Sequence, residues 1–179
     1  NRYGGNTSCV TVTTRGGDRE GEVLERRPVQ VDAATLAAVL ARFTGLIEQV
    51  PPMHSALKHE GRALYEYARE GIEVDRPARR VTIHSLDMLG WHDDLLTLDV
   101  RCSKGTYVRT LAEDIGAALG CGAHLHALRR TGSGALSVDD AATLDALADL
   151  TEADRDARLL PPDALLADWP EWRLPAHEA

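Results

Sequence analysis

Three things are scarce in this chain of 179 residues, and each scarcity closes off a class of protein. No apolar run is long enough to span a bilayer, and no charged-then-apolar leader opens the chain. Neither a membrane-embedded protein nor a secretory precursor is therefore expected. Cysteine occurs three times, as Cys9, Cys102 and Cys121, an odd number at unrelated spacings. That argues against a disulfide framework and for reduced thiols in a cytoplasmic protein. Cys121, His124 and His126 invite a metal reading, but no fourth ligand stands at a recognisable spacing and Cys121 follows a helix-ending glycine, so no metal is expected. The third scarcity is positive charge: 20 Lys and Arg face 28 Asp and Glu, a net charge of −8. Taken alone, this argues against a nucleic-acid partner.

The distribution of charge points the other way. From Asp139 onward, eleven carboxylates face Arg155, Arg158 and Arg173, which accounts for the whole net charge. The preceding residues carry equal numbers of each sign. Among them Lys58, Arg62, Arg69, Arg79, Arg80, Lys104, Arg109, Arg129 and Arg130 can converge into a basic groove suited to phosphates. At 44% hydrophobic, the chain can also bury one sizeable core.

The most informative stretch is Cys102-Ser103-Lys104-Gly105-Thr106-Tyr107-Val108-Arg109-Thr110. Before it, Leu96, Leu98, Val100 and Cys102 alternate with Thr97, Asp99 and Arg101, the period of a half-buried strand. After it, Leu111 to Leu119 follows a helical period, and Gly120 stands where a C-terminal cap belongs. One tight strand-to-helix corner thus presents an ammonium, a phenol and a guanidinium together, an arrangement able to hold charged groups against an anionic substrate.

Elsewhere Asn1 to Ser8 shows no clear period, Val10, Val12 and Thr14 alternate as an edge strand does, and Arg15 to Gly21 turns on three glycines. Asp32 caps a helix striped by Leu36, Val39, Leu40 and Phe43 and ended by Gly45. Val50-Pro51-Pro52 reads as extended loop. Gly61 opens a short helix through Arg69, closed by Gly71. Arg79 to Leu89 reads as a strand, turned at His92-Asp93-Asp94 into the strand at Leu95. Leu125 to Ser137 is a strand pair or bend around Gly132-Ser133-Gly134. Asp139 caps a helix striped by Ala142, Leu144, Leu147 and Leu150. The expected fold is α+β, a mainly antiparallel mixed sheet with flanking helices over residues 1–150. An acidic tail with Pro, Trp169 and Trp172 follows over residues 151–179.

Three blocks in order carry a family resemblance. They are Pro52-Met53-His54-Ser55-Ala56-Leu57-Lys58 running on to Gly61–Gly71, the corner at Cys102–Thr110, and Gly120-Cys121-Gly122-Ala123-His124-Leu125-His126-Ala127-Leu128-Arg129-Arg130. Together they resemble the TruB family of tRNA pseudouridine synthases over roughly Gly16 to Leu147. The resemblance implies a pseudouridine synthase-like fold and isomerisation of the T-loop uridine of tRNA, with the T-arm as partner. It implies a monomer that needs neither metal nor organic cofactor. That chemistry flips the base out of its stack, detaches uracil and rejoins it through carbon.

By the same resemblance, Arg109 pairs with the catalytic aspartate, Tyr107 lines the uracil pocket and Leu128 forms its apolar wall. Tyr3, in Asn1-Arg2-Tyr3, matches the family's stacking tyrosine in Lys-x-Tyr. Lys104, Arg129 and Arg130 steer phosphates, while Lys58 and Ser55 belong to a supporting loop. The family's nucleophile lies in a motif Gly-x-Leu-Asp-x-x-Ala that these residues do not contain. Asp18, in Gly16-Gly17-Asp18-Arg19-Glu20-Gly21, resembles a later family turn, and Asp114 falls inside a helix. Neither is assigned the nucleophile's role. The chain alone is therefore expected to be inactive, with the family's carboxyl-terminal RNA-binding module also absent. A non-catalytic tRNA-binding or tRNA-folding module is the alternative.

Overall fold

The computed structural model describes residues 2–10, 12–14, 17–164 and 170, with only the backbone described before residue 17. Two compact units divide at Thr131 and Gly132. The first contains β1 (Arg2–Val10), β2 (Val12–Thr14), β3 (Val23–Arg26), α1 (Ala33–Arg42), β4 (Gly45–Gln49), β5 (Lys58–His59), β6 (Arg62–Ala63) and α2 (Leu64–Arg69). It continues with β7 (Arg79–His92), β8 (Leu95–Cys102), α3 (Val108–Leu119) and β9 (His124–Ala127). The fold is α+β, and every pairing in its main sheet, ordered β9-β1-β8-β7-β4, is antiparallel.

The core follows the alternation of β8. Leu96, Leu98, Val100 and Cys102 are all buried, and together with Ile83 and Leu86 of β7 they form the covered face of the sheet. Leu36, Val39 and Leu40 of α1 and Leu111, Ala112 and Ile115 of α3 close over that face. Burying side chains of this size contributes roughly 1.5–3 kcal/mol each. On α3, burial recurs at Val108, Leu111, Ala112 and Ile115, the stripe of a helix with one face in the core.

Several elements differ from the sequence expectation. The amino-terminal segment is a central strand, not an aperiodic one: β1 lies between β8 and β9. Its register jumps between Tyr3, opposite Val100, and Thr7, opposite Leu98. Four steps on β1 therefore match two on β8, and the bulge destroys the alternation that marks a strand. Val12 and Thr14 pair with β3 in a separate two-stranded sheet. The strand β4, in the run before Val50-Pro51-Pro52, has no counterpart in the sequence expectation.

Gly61 opens no helix. With Glu60 it forms the two-residue turn of the β5–β6 hairpin, both residues at positive φ (49° and 85°), and α2 begins only at Leu64. In the second unit, β10 (Arg130–Ser133), which begins just before the division, pairs with β11 (Leu136–Ser137). Asp139 lies inside a short 3-10 turn capped by Ser137; the helix α4 (Leu144–Ala148) is capped by Thr143 instead. A further short helix, α5 (Glu152–Asp156), stands in the segment expected to be tail. Trp169 and Trp172 lie outside the described residues.

Candidate active site

The corner after β8 is built by short-range hydroxyl bonds. The Ser103 Oγ accepts the Thr82 N–H at 3.0 Å, and the Thr106 hydroxyl donates to the Ser103 carbonyl at 3.0 Å. Gly105 occupies positive φ at 83°, which lets the chain reverse within four residues. Tyr107 is the N-cap of α3, and a side chain from β4 fixes its backbone: its N–H donates to the Gln49 Oε1 at 3.1 Å, and the Gln49 Nε2 donates to its carbonyl at 3.3 Å. Gln49 is buried, so this amide clamp is shielded from water.

Two residues further on, Arg109 projects from the first turn of α3. Its Nη1 donates to the Asp18 Oδ2 at 3.0 Å, and its Nη2 donates to the His54 carbonyl at 2.9 Å. One guanidinium thereby ties together three segments remote in sequence. Asp18 is itself held: its Oδ1 accepts the Glu20 N–H, its carbonyl accepts the Gly21 N–H, and its loop bridges to Leu125 of β9. The Leu125 N–H donates to the Gly17 carbonyl and the Arg19 N–H to the Leu125 carbonyl, at 2.9 and 3.1 Å. The ion pair is about a third exposed, so solvent screens it, but its geometry is set by backbone bonds on both sides.

An open recess lies beside this pair, walled by Asp18, Arg19, Leu125, His126, Ala127 and Leu128. Leu128, one of its lining residues, is about half exposed. A second depression, next to His54, is lined by Pro52, Met53, Arg76 and Glu113 among others. Burial raises the Glu113 carboxyl above its ordinary pKa; the neighbouring Asp114 and, more weakly, Asp18 add to this, while Arg109 opposes it. Burial likewise raises Asp114. Ser55 and Thr110, adjacent to His54 and Arg109, bury hydroxyls that have no hydrogen-bond partner among the described residues.

Arg109 and Tyr107 thus share one corner, and Leu128 shares the Asp18 recess. Lys104 is exposed at the same corner, and Arg129 and Arg130 are exposed just after β9. Lys58 lies apart, in the β5–β6 hairpin, lining a depression with His59, Asp75 and Arg79. The backbone of Tyr3 pairs opposite Val100, and its side chain lies outside the described residues. Asp18 has no assigned role in the sequence reading, yet it is the partner of Arg109. Its glycine-flanked turn is the signal that could have found it. Gln49 offers none.

Known proteins resemble this chain over most of its length. Residues 3–108 match the family described as TruB family pseudouridylate synthase (N terminal domain). The chain belongs to the TruB family. Residues 109–167 match the description tRNA pseudouridylate synthase B C-terminal domain. The tRNA pseudouridine synthase B of Burkholderia lata is 60% identical over 161 residues, covering 90% of this chain and 50% of that protein. That of Burkholderia mallei is 58% identical over 170 residues, covering 95% of this chain and 56% of that protein. The chain thus spans about half the length of the curated relatives it matches. Among solved structures, one titled as a Cbf5-Nop10-Gar1 complex superposes with a TM-score of 0.55 at 27% identity, covering 83% of this chain and 35% of that one. The TruB assignment and the α+β fold agree with the expectation from the three motifs.

Proposed function

We propose that this chain is the catalytic-domain portion of a pseudouridine synthase that isomerises the T-loop uridine of tRNA. The observation that carries the reading is Arg109, held at the mouth of a strand-to-helix corner by Asp18 and the His54 carbonyl, in a chain of the TruB family. A guanidinium fixed in this way can present a fork to a carboxylate nucleophile, keep that carboxylate ionised and set its rotamer. The nucleophile is the aspartate of the family motif Gly-x-Leu-Asp-x-x-Ala, which these 179 residues do not contain. Asp18 serves as the anchor of the arginine, not as the attacking group.

Tyr107 and Leu128 receive the flipped uracil, one with a ring and hydroxyl, the other with an apolar wall, and Tyr3 stacks on it. Lys104, Arg129, Arg130 and Lys58 meet phosphates of the T-arm. The same reading has the enzyme acting in the cytoplasm as a monomer, with no metal or organic cofactor. The test is tritium release from uridine-labelled tRNA transcripts, run with the full-length gene product and with the 179-residue chain. Turnover is expected from the first and not from the second. Turnover by the short chain would move the nucleophile to Asp18 or Asp114. Tight tRNA binding without turnover by the full-length product would favour a non-catalytic tRNA-binding module.

A further inference from the structure

Glu113 stands one helical turn after Arg109 on α3, and no step above uses it. Its carboxylate is packed against the loop that carries Asp18. A Cβ built on Gly17 would lie 2.5 Å from the Glu113 Oε1 and 2.6 Å from its Cδ, closer than any real contact. The space a side chain would fill at Gly17 is therefore filled by Glu113. Gly17 is buried, its φ is +75°, and its carbonyl holds Leu125 of β9. The next residue is Asp18, bonded to Arg109. Glu113 also feels the charges of Asp18, Arg109 and Asp114, so it sits within the same electrostatic cluster. It lines the depression beside His54, whose carbonyl takes the other end of Arg109.

A half-buried carboxyl wedged under a glycine can be explained by what it holds in place. We infer that Glu113 is a positioning residue, a wedge between α3 and the Gly17–Asp18 loop that sets where Asp18 holds Arg109. The wedge acts through volume. Gln, nearly isosteric, retains it; Ala loses it. A methyl group on Gly17 pushes the carboxylate aside, because the obstructing atoms are the far end of a flexible side chain, and at φ +75° it also strains the loop. Without the Glu113 side chain the loop settles toward α3, with the methyl group it is forced out of place, and in both cases the guanidinium turns with Asp18. Binding to phosphates through Lys104, Arg129 and Arg130 is untouched, since these exposed cations lie outside both α3 and the Gly17–Asp18 loop.

The inference rests on the proposed function for its kinetic readout, so the test carries a second readout that does not. In the full-length protein, Glu113→Ala should slow the single-turnover isomerisation rate at saturating enzyme by roughly ten- to a hundredfold, the range expected when a reacting group is misplaced by about an ångström. Affinity for tRNA should stay within about twofold, because the affected groups do not meet the backbone. Glu113→Gln should recover the rate to within about threefold, whereas Gly17→Ala should resemble Glu113→Ala and be non-additive with it.

The independent readout is the Arg109 Nε–Hε resonance of nitrogen-15-labelled protein, identified by its perturbation in Asp18→Asn. It should shift or broaden in Glu113→Ala and in Gly17→Ala but hold its position in Glu113→Gln. Thermal unfolding of each variant confirms that it is folded. A wild-type rate for Glu113→Ala, a defect confined to tRNA affinity, or a Gln variant as impaired as the Ala variant would each overturn the wedge. If the wild-type protein shows no turnover, the functional reading fails, and the resonance pattern alone decides for or against the wedge.

Discussion

Replacing Arg109 with lysine keeps the charge and changes almost everything else about the site. The guanidinium uses two nitrogens at once, Nη1 on Asp18 at 3.0 Å and Nη2 on the His54 carbonyl at 2.9 Å. An ammonium is a single point and cannot span both while presenting a planar fork to a third group. One charge-assisted bond disappears, worth about 1.5–3 kcal/mol in a shielded site. Because the pair is about a third exposed, its effect on folding should fall at or below the lower end of that range. The chemical step should suffer more. Losing a preorganised group of this kind typically costs about 2–4 kcal/mol of transition-state stabilisation, or roughly 30- to 1,000-fold in rate. Single-turnover kinetics with saturating full-length enzyme separate this from binding. A rate within a few-fold of wild type, or a defect seen only as weaker tRNA affinity, would place Arg109 on the phosphate-binding face and refute the reasoning.

Other perturbations follow from the same geometry. Gln49→Ala strips both partners from the Tyr107 backbone in a buried setting and should destabilise by roughly 2–4 kcal/mol, read as a fall in the urea midpoint; less than about 1 kcal/mol would mean that water replaces the clamp. Burial raises the pKa of Asp114 in the folded protein, so the native state keeps a proton that the unfolded chain releases, and stability drains away as pH climbs past the ordinary aspartate value. Asp114→Asn should therefore melt higher than wild type at about pH 7.5, with the gap closing toward about pH 4; a gap that widens on acidification would reverse the sign of the shift. Reversing Arg129 and Arg130 to Glu should weaken tRNA binding and flatten its salt dependence by roughly one logarithmic unit for each phosphate no longer neutralised, while reversing Arg155 and Arg158 should do little; equal effects would mean that bulk charge governs.

How much is legible in the sequence depends on how local each signal is. The β8 alternation, the α3 stripe and the Asp32 cap need only a few neighbouring residues to appear, and all three stand in the structure. Local signals also mislead. Gly61 reads as a helix start because a helix does follow, but the hairpin turn before it uses the same residue. At the amino terminus, a bulge between Tyr3 and Thr7 breaks the alternation in sequence while leaving the pairing in space intact. The pairings made by Asp18 and Gln49 are out of reach for a different reason. Each acts on a residue far along the chain, Asp18 on Arg109 across 91 positions and Gln49 on Tyr107 across 58. No periodicity records such a pairing. The corner itself is visible because a strand, a glycine and a helix stop each other within a short span.

Net charge illustrates the same separation between what a chain sums to and what a site feels. Every unit of the −8 excess belongs to the second compact unit, residues 132–179, where eleven carboxylates face three arginines. Residues 1–131 carry cations and anions in equal number. At physiological ionic strength the Debye length is about 8 Å, so a phosphate responds to the groups within a side chain or two of it and hardly at all to the total. Four of the seventeen carboxylates of the first unit are committed to these partners: Glu25 to Arg27, Glu66 and Glu70 to Arg62, and Asp18 to Arg109. Paired acids repel an approaching phosphate less than free ones. The exposed cations after β9 and at the Lys104 corner then set the local potential, and a sequence pI near 5.3 carries little weight against an RNA partner at that surface.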